Sequence, residues 1–200
     1  MSDYGTSSIS VYTFPSVVRI SLLVGYTPQG VTSLGDELFV SRSYGSPVIS
    51  VYDVNNFTLR RNITLPSTVI RSYLAASEIN NCVYMSDRDN HVVYKISMTS
   101  SGSVISTCSV CRYPSGMYVT SNNRPTLLVA CSWFYSFFFY NSRIRFQQQR
   151  RTEIALRSAE GNDLDYVNVR SVVELSGGRF GVTMTDPLDR YTVSLRPMNR

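Results

Sequence analysis

The sequence has few of the residues on which common enzyme sites depend. It contains one histidine, His91, and its only lysine is Lys95. A single histidine excludes the His-x-x-x-His pair of metalloproteases, and the Gly-x-Ser-x-Gly and glycine-rich phosphate-binding motifs are also absent. Schiff-base chemistry has Lys95 as its sole candidate. The sequence therefore favours binding over catalysis, and it predicts no catalytic residue and no cofactor, nucleotide cofactors included.

Long hydrophobic runs are missing as well. No apolar stretch approaches the ~20 residues that a membrane-spanning helix requires. The opening MSDYGTSSIS lacks the basic and apolar segments of a signal peptide. These absences predict a soluble, cytoplasmic protein with no membrane partner. An extracellular location stays open if the N-terminus is truncated.

Cysteine is scarce, with four residues at Cys82, Cys108, Cys111 and Cys131. Cys108 and Cys111 have the spacing of a metal-ligand pair, but a structural zinc site needs a second pair. Two disulfides would be possible in an oxidising compartment. Without a secretion signal, we predict buried thiols on strands and no metal site.

Composition predicts one all-β domain. The chain has 200 residues, of which 43% are hydrophobic, with 14 Tyr and 9 Phe, and aromatic side chains pack well on a pleated sheet. The net charge of +5 comes from 19 basic and 14 acidic residues without a basic run. This mixture predicts a solvated surface, since nucleic-acid binding is typically marked by clustered positive charge.

A unit of four strands repeats along the chain. Its marker is a hairpin turn of two small or amide residues between two apolar strands, found at Gly35-Asp36, Asn80-Asn81, Asn122-Asn123 and Gly177-Gly178. Such residues tolerate the positive φ that tight turns require. A third strand follows each hairpin after a polar or irregular loop, and a fourth strand closes three of the units. Four strands per unit is the count of a β-propeller blade.

The spacing of the units supports the same architecture. Val40, Met85 and Val129 mark the second strands and lie 45 and 44 residues apart, which is the period of four-stranded blades. Ile9–Tyr12 repeats Ile49–Tyr52, which indicates a partial blade at the N-terminus. We predict a single propeller domain, or part of one, over residues 1–200: a partial blade at 1–22 and blades at 25–66, 69–111, 112–156 and 157–200. Because an open ring exposes unpaired strand edges, we expect a larger propeller.

Residues 83–96, VYMSDRDNHVVYKI, resemble the core of an NHL-type repeat, in which a strand runs into an Asp, then a turn such as Asn-His, then a second strand. Pro28-Gln29-Gly30 and Pro114-Ser115-Gly116 resemble the Pro-x-Gly that begins this repeat, and YVTN and TolB-like propellers share the strand pattern. The resemblance implies a propeller, commonly six-bladed, that binds protein, RNA or a ligand, with hydrolase or lyase chemistry in some branches. It also implies that His91 is a turn residue.

One face of such a propeller collects the loops between second and third strands and the loops between blades. Loops on a rigid scaffold commonly carry binding sites, and Tyr, Trp and Arg are the usual anchors of interfaces. We therefore predict that this face binds a protein or peptide partner. The candidate contact residues are Arg42, Tyr44, Arg88, Asp89, Arg112, Tyr113, Trp133 and Tyr135.

Two alternatives remain open. Arginines beside aromatic rings suit single-stranded RNA, because guanidinium groups contact phosphates while rings stack on bases. A metal-dependent, lactonase-like hydrolase would instead use carboxylates and an Asn around a divalent ion in the central channel. For that second function the candidates are Asp87, Asn90, Glu174 and Asp186.

Overall fold

Antiparallel strands form the regular structure in the described part of the chain. The computed structural model describes residues 2–3, 7–13, 18–23, 25–42, 46–98, 103–110, 112–120, 125–131, 136–141, 152–155, 168–175, 179–185 and 193–195. Side chains are described over 7–11, 25–42, 46–98, 104, 106–110, 112–120 and 125–131. Within these ranges there is no helix with the length and apolar character needed to cross a bilayer.

Within the described ranges the strands form five sheets, each with its strands hydrogen-bonded in chain order. The N-terminal sheet contains β1 (Ser2–Asp3), β2 (Ser8–Thr13) and β3 (Val18–Leu23). Blade 1 contains β4 (Pro28–Leu34), β5 (Glu37–Arg42), β6 (Val48–Asp53) and β7 (Leu59–Thr64). Blade 2 contains β8 (Ser72–Ser77), β9 (Cys82–Asp87), β10 (Val92–Ser97) and β11 (Ser103–Ser109). Blade 3 contains β12 (Pro114–Val119), β13 (Thr126–Cys131), β14 (Ser136–Asn141) and β15 (Thr152–Ala155). The last sheet contains β16 (Asn168–Leu175), β17 (Arg179–Thr185) and β18 (Val193–Leu195).

These sheets confirm the predicted all-β propeller fold. The inner strands β4, β8, β12 and β16 pack against one another in succession, so the sheets are arranged radially. β1 packs on β4 as β5 packs on β8 and β9 on β12, so β1 has the place of a second strand. The N-terminal sheet is therefore the outer part of a blade, as the sequence predicted.

Face-to-face packing of the blades explains the apolar composition of the strands. All six residues of β9 are buried. Val83 and Met85 pack in a cluster with Phe39 of blade 1, whereas Tyr84 packs with Leu127 of blade 3. Because successive side chains of a strand point to opposite faces, a strand between two neighbouring blades must be apolar on both.

The predicted hairpin turns are confirmed where the structure describes them. Gly35 (φ +57°) and Asn81 (φ +43°) both adopt the left-handed conformation between the first and second strands of blades 1 and 2. Glycine and asparagine tolerate this conformation better than other residues do. The predicted turns at Asn122-Asn123 and Gly177-Gly178 lie outside the described residues.

A buried hydroxyl group links blade 2 to blade 3. Ser86 Oγ accepts a hydrogen bond from the Tyr73 backbone N–H over 3.1 Å and donates one to the Ser115 carbonyl over 3.0 Å. Ser86 is fully buried, so both backbone groups lose a partner if this hydroxyl is removed.

We expect Ser86→Ala to lower the free energy of unfolding by about 1–2 kcal/mol, because two buried backbone groups then lack a hydrogen bond. Urea denaturation followed by circular dichroism measures this difference. Ser33→Ala, which removes an exposed hydroxyl from β4, provides the control and should change stability by less than about 0.5 kcal/mol. Equal effects of the two variants would contradict a linking role for Ser86.

Candidate functional site

The loops of blade 2 meet at one edge of the sheet. Ser72, the first residue of β8, pairs with Asp87, the last residue of β9, so the turn at 88–91 and the segment at 66–71 lie at the same edge. The backbone N–H of Arg88 donates to the Arg71 carbonyl over 3.1 Å and joins these two loops. We call the described residues at this edge the loop face: 66–71, 88–91, Val110, Arg112 and Tyr113.

His91 joins the turn at 88–91 to the segment that enters blade 3. The backbone N–H of Tyr113 donates to Nδ1 of His91 over 3.1 Å, and the two rings meet edge to face with centroids 4.9 Å apart. The Val110 N–H donates to the His91 carbonyl over 2.9 Å. His91 adopts φ +59° in the turn, which confirms the turn role that the NHL-type resemblance implied.

Arg88 and Tyr113 are brought together across the blade boundary. The guanidinium carbon of Arg88 lies 5.3 Å from the centroid of the Tyr113 ring, within the range of a cation–π contact. Both side chains are partly exposed, and Asp89 and Arg112 beside them are exposed. Four of the eight predicted contact residues therefore lie on one connected surface.

The buried carboxylate of Asp87 stabilises the turn at 88–91, which forms part of this surface. This carboxylate is fully buried and accepts hydrogen bonds from the Asn90 backbone N–H (3.1 Å), the Asn90 amide (2.7 Å) and the Tyr94 hydroxyl (3.4 Å). Burial raises the pKa of Tyr94, whose hydroxyl also lies 2.8 Å from Ser67 Oγ on the preceding loop. Asp87 and Asn90 thus shape the turn.

Arg42, the last residue of β5, is held at a second place, in blade 1. Its guanidinium carbon lies 4.1 Å from the centroid of the Tyr26 ring, and Nη2 donates to Ser50 Oγ over 2.8 Å. Burial raises the pKa of Tyr26, whose hydroxyl lies 3.2 Å from that of Tyr52. The side chain of Arg42, which is one of the predicted contact residues, therefore also takes part in packing. Tyr44, Trp133 and Tyr135 lie outside the described residues.

The described residues offer no metal site. In the ranges that the structure describes, no group of three His, Cys, Asp or Glu side chains could hold an ion. The Asp87 carboxylate accepts hydrogen bonds within the turn, and Asn90 donates two of them. The other two candidate ligands cannot be placed at such a site, because the Glu174 side chain and all of Asp186 lie outside the described residues.

The cysteines only partly match the predicted buried thiols. Cys82 and Cys108 are buried thiols, and burial raises the pKa of Cys82. Cys131, at the end of β13, is instead disulfide-bonded, so the prediction of a thiol is wrong at this position. The spacing of cysteines along the sequence could not reveal this bond, because it does not show which cysteines lie close together in the fold. Cys111 lies outside the described residues.

The opposite edge of blade 1 carries paired charges. Arg60 Nη2 lies 2.7 Å from Asp36 Oδ2 and also contacts Asp53, while Arg61 forms two contacts with Glu37. The hydrogen bond from Arg60 lowers the pKa of Asp36, and that from Arg61 lowers the pKa of Glu37. Most of the charge at this edge is therefore neutralised locally.

Sequence reasoning missed a cavity of about 430 Å³ at this same edge. It lies where the inner strands of blades 1 to 3 end, and its lining includes Thr32, Ala76, Glu78 and Tyr118. In the sequence, the run of small residues Ala75-Ala76-Ser77 could have indicated this cavity, because small side chains at the end of an inner strand leave space unfilled.

The comparisons with known proteins support the fold alone. No protein-family model matches the sequence, and no curated protein does. Selenomethionine-substituted virginiamycin B lyase from Staphylococcus aureus is similar in structure, with a TM-score of 0.68, 10% identity, and coverage of 98% of this chain and 65% of the lyase. A catalytically inactive variant of that lyase with quinupristin gives a TM-score of 0.67, 11% identity and coverage of 90% and 57%. Hydrazine synthase from Kuenenia stuttgartiensis gives a TM-score of 0.54, 15% identity and coverage of 83% and 47%. The chain thus spans about 57% to 65% of the lyase length.

Proposed function

We propose that this chain is a binding scaffold, with no catalytic role, that uses the loop face of blade 2 to hold an acidic protein or peptide segment. The observation that carries the proposal is the contact between Arg88 and Tyr113, made by two loops that hydrogen bonds hold in place. A surface that is ordered before binding loses less conformational entropy when the partner arrives.

The charge of the loop face indicates the chemistry of the partner. Arg71 and Arg112 are exposed, Arg88 is partly exposed, and Asp89 is the exposed acid among them. The surface therefore has a net positive charge, which attracts carboxylates. Ile70 lies in the same loop with 45% of its surface exposed, and it provides an apolar contact beside the arginines.

We also propose that the repeat is of the NHL type. The turn of Asp87, Asn90 and His91 resembles that of an NHL-type repeat, and this resemblance implies a propeller that binds protein, RNA or a ligand. RNA binding is the alternative that the same arginines could support, so the experiment has to separate a peptide partner from a nucleic acid.

The proposal predicts that peptides selected against this chain depend on Arg88. Random peptides displayed on phage are selected on the immobilised full chain, and the dissociation constants of the enriched peptides are measured by fluorescence polarisation. We expect acidic sequences to be enriched, and Arg88→Ala to weaken their binding about tenfold or more, since interface arginines commonly contribute at least 1.4 kcal/mol.

Arg60→Ala is the matched control, because it removes an arginine from the opposite edge, where Arg60 is paired with Asp36 and Asp53. This variant should bind the same peptides as tightly as the unmodified chain. The proposal fails if no acidic peptide is enriched or if Arg88→Ala leaves affinity unchanged. It also fails if oligouridylate binds more tightly than every selected peptide with a steep salt dependence.

A further inference from the structure

The cavity at the hairpin edge is separate from the loop face. β8 runs from Ser72 at the loop face to Ser77 at the cavity, and its six residues span about 20 Å. Ile79, in the hairpin that follows β8, lines the cavity and has 54% of its surface exposed. A ligand of this cavity would therefore leave the loop face open.

Strand edges supply polar groups to the cavity wall. β4, β8 and β12 are each the edge strand of a four-stranded sheet, and all three line the cavity. An edge strand has one row of backbone N–H and C=O groups that its own sheet does not use. Together with the hydroxyl groups of Thr32 and Thr120, these edges give the wall hydrogen-bonding capacity.

One carboxylate sets the charge of the cavity. Among the described residues that line the cavity, Glu78 is the charged one, and it forms no ion pair with any other described residue. Glu37, in the corresponding hairpin of blade 1, is by contrast bound to Arg61. A carboxylate at the mouth of a concave site attracts cations, since the low-dielectric walls concentrate its field.

The apolar part of the wall limits the body of the ligand. Ile79, Met117 and Tyr118 lie beside the small side chains Ala75 and Ala76. A volume of about 430 Å³ lies in the range of small-molecule sites. The wall thus accommodates a short aliphatic chain next to the Glu78 carboxylate.

We propose that this cavity binds a small organic cation, with an ammonium or guanidinium group on a short aliphatic body. The cationic group pairs with Glu78, and the aliphatic body packs between Ile79 and Tyr118. This site goes beyond the binding of a peptide by the loop face, and neither site requires the other.

Three probes with the same carbon chain test the proposal: pentylamine, 1-pentanol and pentanoate. Binding to the full chain is followed by the amide chemical shifts of Glu78, Ile79 and Tyr118 in nuclear magnetic resonance titrations. We expect pentylamine to bind with a dissociation constant on the order of 1–10 mM, since a ligand of so few atoms has a low affinity. 1-Pentanol should bind at least fivefold more weakly, and pentanoate should bind most weakly.

Glu78→Gln keeps the shape of the exposed side chain and removes its charge, so it should weaken pentylamine binding at least fivefold and leave 1-pentanol unchanged. Asp36→Asn is the matched control, because Asp36 lies at the same edge but is paired with Arg60. It should not alter pentylamine binding. Equal affinities of the three probes, shifts confined to other residues, or full pentylamine affinity in Glu78→Gln would each overturn the proposal.

Discussion

Asp87→Ala should lower the free energy of unfolding by about 3 kcal/mol, because a buried carboxylate that satisfies several donors is removed. The Asn90 backbone N–H, the Asn90 amide and the Tyr94 hydroxyl would all lose their acceptor. Asp87 is fully buried, so no water replaces it without disturbing the packing of β9. Urea denaturation of the variant and of the unmodified chain measures the difference.

Two comparisons make this result specific. Asp87→Asn keeps one acceptor oxygen and should cost about half as much. Asp89→Ala removes an exposed carboxylate two residues away and should change stability by less than about 0.5 kcal/mol. If Asp87→Ala and Asp89→Ala had the same effect, the buried carboxylate would not be what orders the turn. Loss of the turn should also weaken the selected peptides, since Arg88 follows Asp87 directly.

Gly30→Ala should have the second largest effect and lower the free energy of unfolding by about 2–3 kcal/mol. The reason is that blades 1 and 2 approach each other closely at Gly30. A Cβ atom there would lie 2.8 Å from Ser41 Oγ, 3.0 Å from the Leu74 nitrogen and 3.1 Å from the Tyr73 Cα. The backbone of β8 cannot move away without separating the two blades. Ser41 Oγ also accepts the Gly30 N–H over 2.9 Å, and the added methyl group would disturb that bond.

Gly35→Ala is the control for the loss of glycine itself. Gly35 adopts φ +57°, and no atom lies within 4 Å of the place that an added Cβ would take, so the cost is backbone strain of about 1 kcal/mol. Thermal or urea unfolding measures the loss of stability in each variant, which is due to close packing in Gly30→Ala and to backbone strain in Gly35→Ala. A smaller effect for Gly30→Ala than for Gly35→Ala would show that the blades are not in tight contact at Gly30.

The candidate site could be predicted only in part from the sequence. Asp89 and Arg112 are exposed, which is expected of polar residues in loops between apolar strands. The turn around Asp87 follows from its local residue pattern. The meeting of Arg88 with Tyr113 could not be predicted, because the two residues are separated by a strand pair and meet only when the chain returns to the same edge. The contact of Arg42 with Tyr26 likewise depends on tertiary structure, because the two residues are 16 positions apart in the sequence.

The strands, their order and the propeller architecture could be predicted from the residues alone. Turn residues and apolar runs are local features of the sequence, and the 45- and 44-residue intervals between second strands indicate the blade repeat. Which side chains come together depends on how the blades pack, because their contacting faces and edges lie far apart along the chain. The contact of Gly30 with β8 and the cavity beside Glu78 both arise where neighbouring blades meet.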